Sequence, residues 1–294
     1  MSNVLNKIRK YSASIYSQKD KFWFIVWLGI LGLTFIWNTL FLNKPALRLV
    51  IEGSLNTLYI SVLVVIFSFI LGWIIGLFVV RFESSQFQLP YFLLTFILNL
   101  LRSIPQIIGI LLGYVGITYL ITANILTNSW LIMTTMALAI SLFIFNEVID
   151  LIRERINHFK KLDFYNAMKV CGISENRIIN FDILWKNSRI HILNKLIAIF
   201  GSAIFLQCTI DFIISVGLST QVSSVSLPTT LGSLLAKIDS KQDILAIGNT
   251  IMNPSYFSHI FFEHLQGVTV AFLIVFTLLS VYKISNGFAE RNRL

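Results

Sequence analysis

Charged residues in this chain are bunched, and the gaps between the bunches constrain its fold more than any motif does. Asp, Glu, Lys and Arg are missing from residues 22 to 43, 53 to 80, 84 to 101, 103 to 146, 196 to 210 and 264 to 282. A bilayer core ~30 Å thick is crossed by about 20 helical residues, so most of these stretches have membrane length. With 56% hydrophobic and 13% charged residues, the chain lies far from the balance of a water-soluble domain. The 103 to 146 stretch reads as the end of one span and most of the next. Helices are therefore expected near 23–42, 56–80, 90–121, 129–150, 190–216 and 265–283, giving an all-α bundle of six spans in the lipid bilayer. A β-barrel would need short alternating segments in place of these unbroken Ile, Leu, Val and Phe runs.

Six spans put both ends on one side, and the basic residues indicate which side. Lys7, Arg9, Lys10, Lys19 and Lys21 precede the first span, and Arg81 follows the second. Arg153, Arg155, Lys160, Lys161, Lys169, Arg177, Lys186 and Arg189 crowd the loop after the fourth; Lys283, Arg291 and Arg293 end the chain. The opposite loops hold only Lys44, Arg48, Lys237 and Lys241. The positive-inside bias thus predicts cytoplasmic tails at 1–22 and 285–294 and a cytoplasmic loop at 153–189, and it accounts for the net charge of +9. A contiguous basic face for nucleic acid is not evident. The first apolar run is longer than a signal-peptide core and no small-residue cleavage site follows it, so it reads as a retained span at 23–42.

Chemistry of the bond-breaking kind finds no foothold. Cys171 and Cys208 fall in the basic loop and in a span, which implies no disulfide, and no His or Cys cluster has metal-ligand spacing. A phosphate-binding G-x-x-x-x-G-K-[ST] loop is missing too. The chain is expected to be no enzyme, with no metal and no cofactor of its own.

The basic loop carries the informative motif. In DFYNAMKVCGISENRIINFDILWKN, Asp163 is placed to cap a short helix from Phe164 to Val170, Gly172 supplies a positive-φ stop, and Ser174 can cap a second helix starting at Glu175. This order resembles the cytoplasmic E-A-A loop of ABC importer permeases of the dipeptide, oligopeptide and nickel branch. Asn166, Ala167 and Met168 stand at E-A-A, Gly172 at the following glycine, and Ile183, Leu184 and Trp185 at I-L-P. Arg177-Ile178-Ile179 resembles that branch's R-I-I. LPTTLGSLL at 227–235 resembles its outer-loop P-x-x-W-G-x-x-L, SNGFAE at 285–290 its terminal G-D-G-L-R-D, and LRSIPQIIGILL at 101–112 its S-I-P-x-L-L-L.

The resemblance runs from about Ser54 to the C-terminus and implies a type I importer-like permease core at 54–284. It further implies a bacterial inner-membrane subunit that pairs with a second homologous permease, two ATP-binding subunits that hold ATP and Mg, and an extracytoplasmic substrate-binding protein. Phe164, Tyr165, Asn166, Ala167, Met168, Gly172, Arg177, Ile183 and Leu184 would then form the ATPase-coupling loop. Leu231, Gly232 and Leu235, within an outer segment at 217–264, would contact the receptor or close the outer gate. The departures are Asn166 for Glu, Met168 for Ala and Trp185 for Pro, and they remove a carboxylate contact and a kink. Peptide and nickel-chelate cargo both fit. A membrane scaffold that has lost transport and an ion-coupled transporter are the competing classes.

Within the spans, Gln207 and Asp211 share a helix face. They are candidates for the translocation path, and an alternative places Asp211 at a hydrated outer interface. Glu147 and Asp150 close the fourth span in solvated or ion-paired roles, Arg102 reads as structural beside Pro105, and Gly72 and Gly76 form a G-x-x-x-G packing face.

Overall fold

A computed structural model describes residues 18–83, 88–219, 227–237, 245, 248–259 and 265–292. Every regular element among these residues is helical. In chain order they are α1 (Lys19–Phe41), α2 (Lys44–Glu83), α3 (Gln88–Ser103), α4 (Gln106–Thr122), α5 (Ser129–Ile144), α6 (Asn146–Lys160), α7 (Asp163–Val170), the single turn α8 (Glu175–Arg177), a π-helical stretch Ile178–Asn187, α9 (Arg189–Ser219), α10 (Leu231–Leu235), a 3₁₀ turn Pro254–Tyr256 and α11 (Leu265–Asn292).

Among the described residues four helices are long and apolar enough to cross a membrane, or up to six if each of two bent pairs is one span. α1, α2, α9 and α11 qualify alone. The expected third span is not one rod: α3 and α4 meet at 95° across Ile104 and Pro105. Proline has no N–H to give the preceding turn, and its ring forces the residue before it out of helical geometry, so the helix ends there. The expected fourth span bends by 44° between α5 and α6 at Phe145.

The bundle's centre is α2, 40 residues long, with α5, α6 and α9 packed along it. Its small residues decide how closely they come. A β-carbon on Gly72 would lie 2.4 Å from Val148 Cβ, and one on Gly76 3.3 Å from Ile152 Cγ2. The G-x-x-x-G pair is therefore the seam against α6, as its spacing predicts. Around it lies a core rich in β-branched residues, including Ile60, Val64, Ile140, Ile144, Ile152 and Ile199, all without solvent contact. By contrast α1 is peripheral and leans on α11. Its Phe24, Leu33, Phe35, Ile36 and Leu40 point outward, as a helix in contact with acyl chains requires.

The two ends of the bundle can be told apart from its contacts. Arg291 Nη1 lies 2.8 Å from Asp20 Oδ2 and Lys19 Nζ 2.6 Å from Glu290 Oε2, which ties the start of α1 to the end of α11. Ser285 Oγ donates to Asn194 Oδ1 (3.0 Å), bringing the start of α9, and with it the α7 loop, to that same end. We call this end proximal. The start of α2, the end of α9 and α10 meet at the distal end.

Candidate functional site

The proximal loop is an elbow of two short helices. α7 begins where Leu162 has extended backbone, with Asp163 in its first turn; the aspartate is one residue inside the helix instead of at the cap. It stops at Gly172, whose φ of +78° is open to glycine at no steric cost. The Gly172 N–H donates to Lys169 O (3.0 Å) and the Ile173 N–H to Met168 O (3.2 Å), the paired bonds of a Schellman stop. Met168 and Ile173, at the two positions the stop brings together, both pack against the bundle core.

A carboxylate braces the turn from beneath. Tyr165 is buried, and its hydroxyl donates to Glu175 Oε1 at 2.7 Å, while Lys160 Nζ and Lys169 Nζ stand 3.4 and 4.0 Å from the Glu175 oxygens. Burial, followed by the bond and charge of Glu175, pushes the Tyr165 hydroxyl up to about 12. The Tyr165 hydroxyl, aided by the two lysines against an opposing burial effect, holds Glu175 below the usual carboxylate range. The sequence alone did not single out Glu175 as a partner. The signal available was the spacing of Tyr165 and Glu175 across a glycine turn, which brings the two back together.

The outer surface of the elbow exposes Phe164, Asn166, Ala167, Val170, Cys171 and Gly172 beside the charged Asp163, Lys169 and Arg177. Val170 is 89% exposed, a large apolar side chain with nothing over it. Phe164 is half-exposed and edges onto Phe159. The residues expected to couple thus divide into two groups. Phe164, Asn166, Ala167, Gly172 and Arg177 face outward with Met168 at the margin, whereas Tyr165, Ile183 and Leu184 are buried and act as the footing. Trp185, at the position of the missing proline, is 63% exposed, and no kink occurs there. The chain instead winds as a π-helix to Asn187 and breaks at Ser188 before α9. Ser174 does begin α8, though its hydroxyl caps nothing.

The distal end holds the second polar assembly. Asp211 is 3% exposed, which rules out a hydrated position for it. Thr230 Oγ1 donates to Asp211 Oδ2 at 2.7 Å, and Tyr114 from α4 and Gln207 from α9 turn their polar ends toward the same carboxylate. Ser61 Oγ lies 3.2 Å from Gln207 Oε1, and Thr57 Oγ1 accepts from the Leu231 N–H at 3.0 Å. Gln207 and Asp211 were anticipated as a pair. Tyr114, Thr230, Ser61 and Thr57 were not, although Thr57 and Ser61 stand one helical turn apart in an apolar helix.

α10 sits inside this assembly. It is a short helix, Leu231–Leu235, with Thr230 as its cap: Thr230 Oγ1 accepts from the Ser233 N–H, and Ser233 Oγ accepts from the Thr230 N–H. Ile238, Lys241 and the stretches 220–226, 238–244, 246–247 and 260–264 of the outer segment lie outside the described residues, as do Lys7, Arg9, Lys10 and Arg293. Leu231 and Gly232 are buried and Leu235 partly so, packed between α2, α9 and α11 at the distal end. Elsewhere Arg102 pairs with Asp150 at 2.5 Å, and Lys195 with Glu147 at 2.7 Å. No group of three His, Cys, Asp or Glu that could hold a metal ion occurs among the described residues.

The chain is thus an all-helical, multi-pass membrane bundle with an exposed elbow at one end and a buried carboxylate at the other. Compared with known proteins, it matches no protein-family profile and no curated sequence.

Proposed function

We propose that this chain is the membrane-spanning permease subunit of an ATP-driven ABC importer, with six spans formed when each bent helix pair counts as one. Its proximal end faces the bacterial cytoplasm and its distal end the exterior. One observation carries the reading. A short helix stands on the proximal face with its outer side uncovered, ended by a positive-φ glycine and braced underneath by Tyr165 and Glu175.

A lever that transmits force from a soluble motor needs those properties. It needs an exposed knob to be gripped, a sharp turn, and a footing that does not give way. Phe164, Val170 and Ala167 form the gripped side, the aromatic serving as the apolar anchor. Ile183, Leu184 and Tyr165 pass displacement into the core. ATP binding would close two partner ATPases, shift the elbow and switch the bundle between outward and inward access. ATP and Mg belong to those partners. The cargo, delivered by an extracytoplasmic binding protein, would pass between this chain and a second homologous permease, and peptides and nickel chelates are the classes the resembling branch suggests.

Affinity capture tests this directly. Full-length tagged protein drawn from membranes in mild detergent should bring down an ATP-binding subunit and a second permease. Ala167→Arg, which places a long cation on the gripped side, should reduce that recovery at least tenfold while membrane insertion stays normal. Recovery of neither partner by the wild-type chain overturns the proposal, and so does undiminished recovery by the variant.

A further inference from the structure

We propose that Asp211 is the catch of an intramembrane latch that holds α10 inside the distal end of the bundle and keeps that end shut.

The latch is built from three elements that have no covalent reason to meet. Asp211 comes from α9, Tyr114 from α4, and Thr230 from the segment leading into α10. The Thr230 hydroxyl occupies one carboxylate oxygen at 2.7 Å. The other oxygen, Oδ1, faces Tyr114 Oη and Gln207 Nε2, and all three atoms are buried without reaching close hydrogen-bond geometry. A buried carboxylate is costly, and of the groups turned toward this one the Thr230 hydroxyl is the one that arrives with α10.

Further bonds hold the same segment. Asn56 Nδ2 donates to Thr229 O at 2.8 Å, and the Leu231 N–H donates to Thr57 Oγ1. α10 can only seat because it carries a glycine: a β-carbon on Gly232 would lie 2.3 Å from the Cys208 carbonyl oxygen. On the other side, a β-carbon on Gly53 would lie 2.8 Å from Leu234 Cδ1. α10 is therefore gripped between α2 and α9 on two glycine seams, with the Asp211–Thr230 bond at its entrance. Among the described residues, Tyr114 and Cys208 are the titratable groups packed on Asp211, and no basic side chain of those residues faces it. The catch therefore opens by withdrawing neutral donors, a smaller step than separating an ion pair.

What the latch guards rests on the transport reading above, whereas the latch itself stands on these contacts. The two fail separately, because the test requires neither ATPase nor cargo. Cys208 is a natural reporter: it is 7% exposed and lies directly under Gly232. In a Cys171→Ser background, full-length protein in membranes opened to both faces is treated with a water-soluble maleimide. Cys208 should react slowly. Thr230→Val, isosteric but unable to donate, should raise the rate roughly 10-fold or more, the population shift expected on losing a hydrogen bond to a charged group. Thr230→Ser, which keeps the hydroxyl, should stay near the starting rate. Asp211→Asn removes a charge one turn from Cys208 and alters the thiol directly, so Thr230→Val is the deciding variant. A second reporter, Val79→Cys, sits buried in the proximal half and should remain unreactive. An unchanged Cys208 rate in Thr230→Val overturns the latch, as does parallel labelling of Val79→Cys, which would mean general loosening.

Discussion

Two tyrosines in this molecule are turned toward carboxylates, and their surroundings are opposite. Tyr165 meets Glu175 on the proximal face, where two lysines stand close by and water is at hand. Tyr114 points at Asp211 inside the bundle, among neutral donors only. Proximally, losing one partner leaves others to compensate. Distally, each lost donor leaves a charge that nothing else can reach. The same chemical group is thus a brace at one end and a commitment at the other.

The widest separation between the two ends is expected at their glycines. Gly232→Ala drives a methyl group into the α9 backbone, and thermal unfolding of the purified protein should show a loss of about 3 kcal/mol, because backbone cannot be repacked as a side chain can. Gly172 has open space around it, so Gly172→Ala should cost only about 1 kcal/mol, from its left-handed backbone alone. Asparagine tolerates that conformation, so Gly172→Asn should recover most of the loss while Gly232→Asn recovers none. Equal losses at both sites would remove the distinction between a space-limited and a conformation-limited glycine.

Deleting the two hydroxyls should separate the ends less. Tyr114→Phe removes a buried hydroxyl that is turned toward the carboxylate without a close hydrogen bond to it, and is expected to cost about 1 kcal/mol. Tyr165→Phe, where lysines and water can substitute, should cost about 0.5 kcal/mol. A larger effect at Tyr165 would reverse the comparison.

The smallest effect concerns pH and belongs to the elbow. Glu175 is held below its ordinary range, so its contribution is complete above that range and is lost as pH falls through the lowered value. Tyr165 is pushed up to about 12, so its contribution is complete below about pH 10 and is lost as pH rises toward 12. Amide exchange across α7, corrected for intrinsic rates, should therefore show constant protection between about pH 5 and about pH 9. A transition near neutrality would show that another group controls the brace.

The sequence made the membrane character legible because charge is excluded from bilayer-length stretches whatever the tertiary fold. The elbow was legible for a local reason: a glycine stop and the helix before it are written in adjacent residues, and the positive φ at Gly172 appears where the spacing put it. Bends were harder to read. A proline at 105 is compatible with a mild kink in one span, whereas a break of 95° depends on what α3 and α4 each pack against. The distal assembly was least legible, since Asp211 and Gln207 sit one turn apart whereas Tyr114 and Ser61 come from distant helices that only the fold brings together. Burial decided the rest: Tyr165, Ile183 and Leu184 share a motif with exposed residues, and nothing in a linear pattern says which way each side chain turns.

The right-angled corner at Pro105 also bears on the surrounding lipid. With α4 upright in a bilayer, α3 runs along a single leaflet, and Phe92, Leu93, Phe96, Ile97 and Leu100 on its outer surface rest among acyl chains. Such a helix feels the lateral pressure of that leaflet more than the thickness of the whole membrane. Its Arg102 is paired with Asp150 of α6, which ties it to the stalk that carries the elbow.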